Sequence, residues 1–271
     1  MKLGIIAGNR LLPIILAQSI RNKQKDCSIT AICFNGETLP DIKKYVDKTH
    51  WIEVGALRKI KDIIKAEGLS EWIMAGQINP LAIFKKSCWD EDLTALMQRC
   101  EDIRPHTIFV RIISYLQKEG VTFLDSTGYL HDSLASEGIM NGLTLSKDVE
   151  RDVEFGVGII SRFVELDVGQ TIVVKQRSTL ALESLEGTDN TIKRGSRLGG
   201  AGATILKFSK ANQDLRFDVP VVGILTLKLL KKIKAASLVL EKNRVLILEK
   251  EKFLALAKKW NIPVVGREKS V

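Results

Sequence analysis

The segment from Lys207 to Pro220 reads KFSKANQDLRFDVP and combines cations, carboxylates and amides in one short stretch. Its charged and amide side chains include Lys207, Lys210, Gln213, Asp214, Arg216 and Asp218. Cations at such a site could neutralise a phosphate, while Asp218 or Asp214 holds a divalent metal through hard oxygen ligands. The segment therefore predicts phosphate chemistry, and the alternative is a solvent-exposed charged loop.

Asp218 is the carboxylate of this segment that we expect to act in catalysis. It lies between the apolar Phe217 and Val219, and Pro220 follows. This alternation predicts that Asp218 ends a strand and faces a cleft, because proline cannot continue the ladder.

A second polar stretch, from Glu183 to Asp189, reads ESLEGTD. It places three carboxylates, hydroxyls and Gly187 between a predicted strand and a predicted helix. Ligand-binding groups of α/β proteins concentrate at such strand ends. The alternative is a helix start in which Thr188 or Asp189 is the N-cap.

The opening turn, Gly4 to Arg10, reads GIIAGNR and leads from a buried strand into a helix. Backbone N–H groups and the helix N-terminus could bind a phosphate there. The turn is not a full GxGxxG, and its glycines are equally explained by steric need.

Basic side chains also recur at helical spacing at Lys228, Lys231 and Lys232, beside a run of leucines. Such a helix can lie on an anionic membrane surface. The alternative is a solvated face on a core helix.

The elements that position these groups alternate between strands and helices in the first half. Strands are predicted at Leu3–Ala7, Ser28–Phe34, Trp72–Ala75 and Val121–Leu124, and helices at Leu12–Ile20, Gly55–Ala66, Leu93–Cys100 and Ile108–Glu119. This order predicts a Rossmann-like domain with a parallel sheet over residues 1–132.

The second half, residues 133–271, is predicted to be a mixed α/β catalytic domain. Strands are predicted at Thr171–Gln176, Thr179–Glu183, Ala203–Phe208, Ser237–Leu240, Val245–Leu248 and Val264–Val265, and helices at Val149–Leu166, Ile224–Ala235 and Lys250–Trp260. The first two strands are joined by a polar turn at Arg177 and Ser178, which predicts a hairpin.

The charge is concentrated in this second half. Residues 136–271 hold 23 basic and 16 acidic side chains, a net charge of +7. Such an excess favours anionic partners without choosing among nucleic acid, phosphorylated metabolites and membrane surfaces.

Several protein classes are disfavoured by composition. No apolar run reaches the roughly 20 residues of a membrane span, and no secretory leader is predicted, so we expect a cytoplasmic protein. The four cysteines lack close CxxC pairing and the three histidines are scattered, which argues against a zinc site or a disulfide framework. An RNA-binding protein is compatible with the pI of about 9.3, but aromatic content is 6% and no RRM or KH motif is present.

The residues considered above, together with others along the chain, resemble the LpxI-type UDP-2,3-diacylglucosamine pyrophosphatases of lipid A biosynthesis. The matching pattern runs through Ile6–Asn9 with Leu12 and Pro13, His50, Trp51, Gly55, Lys59, Met74–Gly76, Asp167–Gln170, Val173–Lys175, Glu183–Asp189, Lys207, Gln213, Asp214 and Arg216–Gly223. The resemblance covers nearly the whole chain in order.

The resemblance implies hydrolysis of UDP-2,3-diacylglucosamine to UMP and 2,3-diacylglucosamine 1-phosphate (lipid X), assisted by Mg²⁺. Asp218, Lys207, Arg216 and Asp189 are the expected catalytic residues, with Asp218 and Asp189, or Glu183 in place of Asp189, as metal ligands. The expected substrate-binding residues are Gly8, Asn9, Gly76, Gln77, Lys175, Glu183, Glu186, Gly187, Thr188 and Gln213.

The substrate's acyl chains, together with the charge of +7, imply peripheral association with the anionic inner-membrane surface. No nucleic acid is expected as a partner. A homodimer is compatible with the sequence. The alternative function is a non-catalytic protein that binds nucleotides or anionic lipids.

Two departures from the family pattern affect the first domain. Arg10 stands where the family has a second glycine, and Gln77, followed by Asn79 and Pro80, stands where it has a basic residue. A third departure, Glu241-Lys-Asn243, replaces a Glu-Ala-Gly pattern.

Overall fold

The computed structural model describes residues 1–78, 88–100, 102, 104–211 and 213–270. The chain forms two compact units. Unit 1 contains Met1–Leu130 and Leu215–Asp218, and unit 2 contains His131–Asp214 and Val219–Val271. Leu215–Asp218 therefore groups with unit 1, although the sequence placed it in the second domain.

Unit 1 is built on a five-stranded parallel sheet with strand order β3-β2-β1-β4-β5. Its strands are β1 (Lys2–Ala7), β2 (Ser28–Phe34), β3 (Lys48–Ile52), β4 (Glu71–Ala75) and β5 (Thr122–Leu124). Its described helices are α1 (Leu12–Lys23), α2 (Leu57–Glu67), α3 (Glu91–Gln98) and α4 (Pro105–Gln117), with short 3-10 turns at Pro40–Lys44 and Ser126–Gly128. This is the predicted Rossmann-like arrangement.

Local signals explain several of these boundaries. Pro13 lies in the first turn of α1, where its missing N–H costs nothing. Asp90 caps α3 by accepting the N–H of Leu93 at 2.9 Å, and Gly68 ends α2 with φ at 62°.

Unit 2 is built on a six-stranded mixed sheet with strand order β6-β13-β11-β9-β7-β8. Its strands are β6 (Gly138–Ile139), β7 (Thr171–Lys175), β8 (Ser178–Leu182), β9 (Thr204–Lys207), β11 (Ser237–Glu241) and β13 (Val264–Arg267), while β10 (Val221–Val222) and β12 (Leu246–Ile247) form a separate pair. Its described helices are α5 (Lys147–Phe163), α6 (Thr188–Gly199), α7 (Ile224–Lys232) and α8 (Lys250–Lys259), with 3-10 turns at His131–Ser133 and Val164–Leu166. The prediction of a mixed α/β unit is confirmed.

The predicted hairpin is confirmed, but its turn lies at Gln176 and Arg177, one residue earlier than expected. Both residues have positive φ, 50° and 55°, as two-residue hairpin turns require. The buried carboxylate of Asp152 accepts both of their N–H groups, at 3.0 and 2.6 Å, and so stabilises the turn.

Three strands were missed: β3, β6 and β10. The β3 sequence, KTHWI, is mostly half-exposed and contains no apolar run. Among the described residues, no helix is both long and apolar enough to span a membrane, and all four cysteines are free.

Candidate phosphate-binding site

Lys207 and Thr188 meet at one edge of the unit 2 sheet. The Lys207 Nζ donates to the Thr188 Oγ1 at 3.2 Å and to the Val221 carbonyl at 3.1 Å. The same hydroxyl lies 3.3 and 3.4 Å from the carboxylate oxygens of Glu183 and 3.2 Å from the Thr171 Oγ1. We refer to Thr171, Glu183, Thr188 and Lys207 as the Thr188 cluster.

Three members of the cluster are buried, and two of these are formally charged, while Thr188 is half-buried. Lys207 and Glu183 are each 7% exposed and Thr171 is fully buried. Buried charges are tolerated only when polar partners replace water. The Thr188 hydroxyl, which reaches both residues, is one such partner.

Strand order explains why these residues meet. Because β7 is antiparallel to β9, its first residue, Thr171, pairs with the last residue of β9, Lys207. Glu183 follows the end of β8, and its N–H donates to the Thr171 carbonyl at 2.9 Å. Gly169 allows this close approach, because a Cβ there would lie 2.2 Å from the Glu183 carbonyl oxygen.

Helix α6 begins at the same edge and leaves its first turn without a side-chain cap. Its N-cap is Gly187, which has φ at 77° and forms no capping side-chain bond. The alternative reading placed a helix start here with Thr188 or Asp189 as the N-cap; the helix does begin here, but its N-cap is Gly187. An uncapped N-terminus carries partial positive charge and N–H donors that suit a phosphate.

The turn before α6 is braced by Glu186, which the sequence assigned to substrate binding. Glu186 accepts the Ser184 N–H at 3.1 Å and pairs with Arg194 at 2.5 Å. The hydrogen bond from Arg194 holds the pKa of Glu186 below its usual range. These contacts give Glu186 a structural role in shaping the turn.

A second buried carboxylate, Glu241, lies at the end of β11 on the same sheet edge. Its Oε2 accepts both the N–H and the Oγ of Ser209 at 2.5 Å, and Lys269 lies 3.4 Å from its other oxygen. Glu241 therefore anchors the chain immediately after Lys207. Sequence reasoning missed Thr171 and Ser209, whose only signal was their position beside a strand end.

Lys175, a predicted substrate-binding residue, lies at the opposite edge of the sheet. Because β7 runs antiparallel to β9, its last residue is adjacent to the beginning of β9, whereas Lys207 is at the end. The Lys175 Nζ donates to the Gly199 carbonyl at 2.6 Å, at the end of α6. Lys175 and Lys207 therefore lie at opposite edges of the sheet, and Lys175 is the partner of a helix C-terminus.

In unit 1, the predicted residues Gly8, Asn9, Gly76 and Gln77 do come together. They follow the adjacent strands β1 and β4, where the strand order reverses, which is the usual ligand-binding position of a doubly wound sheet. A Cβ on Gly8 would lie 2.4 Å from the Gln77 carbonyl oxygen, and one on Gly76 would lie 2.6 Å from the Asn9 carbonyl oxygen.

Two of the backbone N–H groups that could have bound a phosphate in this turn are already paired, and the close approaches at Gly8 and Gly76 agree with the steric explanation of these glycines. The N–H of Gly8 donates to Ala75 at 2.8 Å, and that of Asn9 donates to Gln77 at 2.6 Å. The Asn9 side chain instead offers a polar group: its Nδ2 donates to Glu37 at 2.7 Å, while its buried Oδ1 has no partner among the described residues.

Arg10 adopts the left-handed conformation, with φ at 65°. This conformation favours glycine, the residue that the resembled family has at this position. The departure seen in the sequence therefore introduces backbone strain next to the strand end.

Asp218 and Arg216 are half-buried and lie in the segment that groups with unit 1. This segment is a turn, so the expectation that Asp218 ends a strand is wrong; the nearby strand, β10, begins only after Pro220. Phe217 anchors the segment by stacking on Phe109, with ring centroids 5.5 Å apart and planes at 24°, and it lies 5.5 Å from His106.

The remaining predicted residues are Asp189 and Gln213. Asp189 is exposed in the first turn of α6, where the negative charge of a carboxylate interacts favourably with the helix dipole. The Gln213 Oε1 accepts the Lys210 N–H at 2.8 Å within a turn.

The described residues contain no group of three or more His, Cys, Asp or Glu side chains arranged to hold a metal. Mg²⁺ does not require such a cage, because it commonly binds one or two carboxylates together with substrate phosphates. Single carboxylates such as Asp218 and Asp189 suit that mode.

Comparison with known proteins covers almost the entire chain. The model for the LpxI N-terminal domain matches residues 2–133, and that for the LpxI C-terminal domain matches residues 136–265. The UDP-2,3-diacylglucosamine pyrophosphatase LpxI of Caulobacter vibrioides is 23% identical over 285 aligned positions, covering 98% of this chain and 97% of that protein.

Likeness to solved structures is weak. A biotin carboxylase domain of Hydrogenobacter thermophilus 2-oxoglutarate carboxylase aligns with a TM-score of 0.28 at 11% identity, covering 64% of this chain and 34% of that one. A transformylase of Mycobacterium tuberculosis aligns with a TM-score of 0.25 at 13% identity, covering 68% of this chain and 44% of that one. Scores this low do not establish a shared fold. The two domain matches, in order and nearly end to end, show that the chain belongs to the LpxI family.

Proposed function

We propose that this chain hydrolyses the pyrophosphate bond of UDP-2,3-diacylglucosamine to UMP and 2,3-diacylglucosamine 1-phosphate. The observation that carries the proposal is the Thr188 cluster. A buried ammonium and an uncapped helix N-terminus meet there, in a chain of this family. Both groups favour an anion, and both are fixed in place before the ligand arrives.

In this proposal Lys207 binds a pyrophosphate oxygen and stabilises the charge that develops during transfer. Arg216 adds a second cation, and Asp218 orients the attacking water or a metal. Water attacks the phosphorus nearer the sugar, the bond from that phosphorus to the bridging oxygen breaks, and UMP leaves. No covalent intermediate is needed.

We assign Asp218 and Asp189 as the candidate ligands of Mg²⁺, which would enter with the substrate. When bound, Mg²⁺ neutralises charge on the transferring phosphoryl group. Free protein, which has no preformed cage in its described part, should bind Mg²⁺ weakly when followed by calorimetry. The uncleaved substrate should tighten Mg²⁺ binding.

Turnover is the direct test. Purified protein is incubated with UDP-2,3-diacylglucosamine, with and without Mg²⁺, and UMP release is followed. In ¹⁸O-labelled water the label should appear in the sugar phosphate, and label in UMP would exclude attack on the phosphorus nearer the sugar. Ligand binding without any turnover would favour the non-catalytic alternative.

Lys207→Met and Lys175→Met form a matched pair. Each change removes a lysine that ends a strand and donates a hydrogen bond to a carbonyl. The two lysines lie at opposite edges of the same sheet. We expect Lys207→Met to lower kcat by about 100-fold, the scale of a lost preorganised donor, and Lys175→Met to retain turnover. Equal losses in both would contradict the assignment of the site.

We further propose a cytoplasmic protein that associates peripherally with the inner membrane. Its support is the charge of +7 over residues 136–271 and a substrate with two acyl chains. A homodimer stays a prediction, to be checked by light scattering.

A further inference from the structure

Exposed lysines cluster where helices α7 and α8 pack against each other in unit 2. The lysine patch, as we call it, consists of Lys228, Lys231, Lys232, Lys234, Lys258 and Lys259, all of which are exposed. The ends of the two helices are joined by a cation–π contact, in which the Lys231 Nζ lies 4.5 Å from the centre of the Trp260 ring. The patch is thus formed by residues from both helices.

The charge of the patch is not compensated within the described part of the chain. Other cations of unit 2 pair with carboxylates: Lys210 with Asp167 at 3.1 Å, and Lys242 with Glu268 at 2.7 Å. No ion pair is found for the six patch lysines among the described residues. Glu249 and Glu251 lie at the beginning of α8, far along the helix from Lys258, and Glu249 already pairs with Lys252.

A lysine in the last turn of a helix also stabilises its own helix through the dipole. That effect explains a single cation per helix end, but it does not explain six cations that repel one another. Beside them, Leu225 at the start of α7 is 71% exposed, and the half-buried Trp260 lies under Lys231. Cations beside an exposed aliphatic side chain are typical of surfaces that contact a bilayer interface.

We propose that the lysine patch is the surface by which this protein binds an anionic membrane. This inference rests on the proposed function, because a diacylated substrate resides in a bilayer. Patch lysines bind lipid phosphates electrostatically, and Leu225 contacts the headgroup region. Nucleic acid fits less well, because the patch's aromatic ring, Trp260, is covered by Lys231 instead of being open for base stacking.

The test compares two variants with equal loss of charge. The patch variant carries Lys228→Gln, Lys232→Gln, Lys258→Gln and Lys259→Gln, and leaves the Lys231 contact with Trp260 intact. The control variant carries Lys147→Gln, Arg162→Gln, Lys193→Gln and Arg197→Gln, which are exposed cations elsewhere in unit 2. Equal thermal midpoints establish that both variants are folded.

Binding is measured by co-sedimentation with vesicles of phosphatidylcholine alone or mixed with phosphatidylglycerol, without substrate, at low and high salt. The wild type and the control variant should bind only the anionic vesicles, and less at high salt. Each patch lysine should contribute about a fivefold factor, so the loss of four lysines should lower the partitioning of the patch variant by about 600-fold.

Equal binding by the patch variant and the wild type would overturn the inference, as would an equal loss in the control variant. Tighter binding of the wild type to single-stranded RNA than to anionic vesicles would also overturn it. Turnover of detergent-dispersed substrate is measured separately, and the patch variant should retain it. A wild type without turnover would refute the proposed function, while the vesicle data would still decide whether the patch binds membranes.

Discussion

Replacing Thr188 with valine tests whether the Thr188 cluster acts in catalysis or only in folding. The change keeps the shape of the side chain and removes one hydroxyl. That hydroxyl oxygen lies 3.2 Å from the Lys207 Nζ and 3.3 Å from the nearer Glu183 oxygen. Lys207 keeps its bond to the Val221 carbonyl, so the ammonium is expected to stay near its place with less restraint.

The loss of stability follows from the burial of the partners. Thr171 is fully buried and Glu183 and Lys207 are nearly so, so water cannot readily replace the lost hydroxyl. Leaving buried polar partners one hydrogen bond short lowers the free energy of unfolding by about 1–3 kcal/mol. For a chain of this size, about 2 kcal/mol corresponds to a fall of about 4–8 °C in the thermal midpoint.

The loss of activity depends on whether Lys207 must be held in position. If it contacts the transferring phosphoryl group, a small displacement should lower kcat by about 10- to 100-fold. Thr191→Val is the matched control, because the Thr191 Oγ1 is 3.0 Å from the Gly187 carbonyl and 3.3 Å from Glu186, and Thr191 is fully buried. It should be destabilised similarly and remain active.

Thermal midpoint and UMP release are measured on the same preparations, well below either midpoint. Full activity in Thr188→Val would refute a positioning role for the hydroxyl. Equal loss of activity in both variants would show that the beginning of α6 acts only through its stability.

Three further predictions concern other parts of the chain. Asp218→Ala should keep the fold and lower kcat by about 100-fold or more; a destabilised but fully active variant would remove Asp218 from the mechanism. Arg10→Gly should raise the free energy of unfolding by about 0.5–1 kcal/mol, because the left-handed φ of 65° no longer strains the backbone; a lower midpoint in urea would contradict this. Hydrogen bonds from Lys61, Tyr115 and Arg58 hold the pKa of Asp92 well below its usual range. The folded pKa therefore lies below the unfolded one, so this stabilisation is complete above the unfolded pKa and is lost as the pH falls below it. The free energy of unfolding, measured with urea, should fall between about pH 7 and pH 3, and the fall should be smaller in Asp92→Asn. An equal fall in that variant would exclude Asp92 as its cause.

The sequence predicted most helices and the buried strands, because their apolar patterns are long. Ser28–Phe34 has the predicted bounds, and the two units have the predicted classes. Strand β3 was not predicted because KTHWI has no apolar run and forms a strand only by pairing with the neighbouring strand β2. Short strands of this kind depend on tertiary pairing, which local sequence does not encode.

Residue proximity was predicted less well than residue type. Lys175 and Lys207 both end strands, but only the pairing order reveals that the strands run in opposite directions. The turn at Gly8 and Asn9 could have offered N–H groups to a phosphate, but both groups donate to carbonyls at the end of β4 and just after it. In each case the missing information was the identity of the spatial neighbour.

The division of unit 1 into two chain segments has a consequence for biosynthesis. Phe217 covers Phe109 and His106, but it is translated long after them. Unit 1 therefore cannot complete its packing while residues 131–214 are still emerging from the ribosome, and unit 2 must be well advanced before unit 1 is finished. A fragment that ends at Leu130 should accordingly be less stable than the same residues within the full chain.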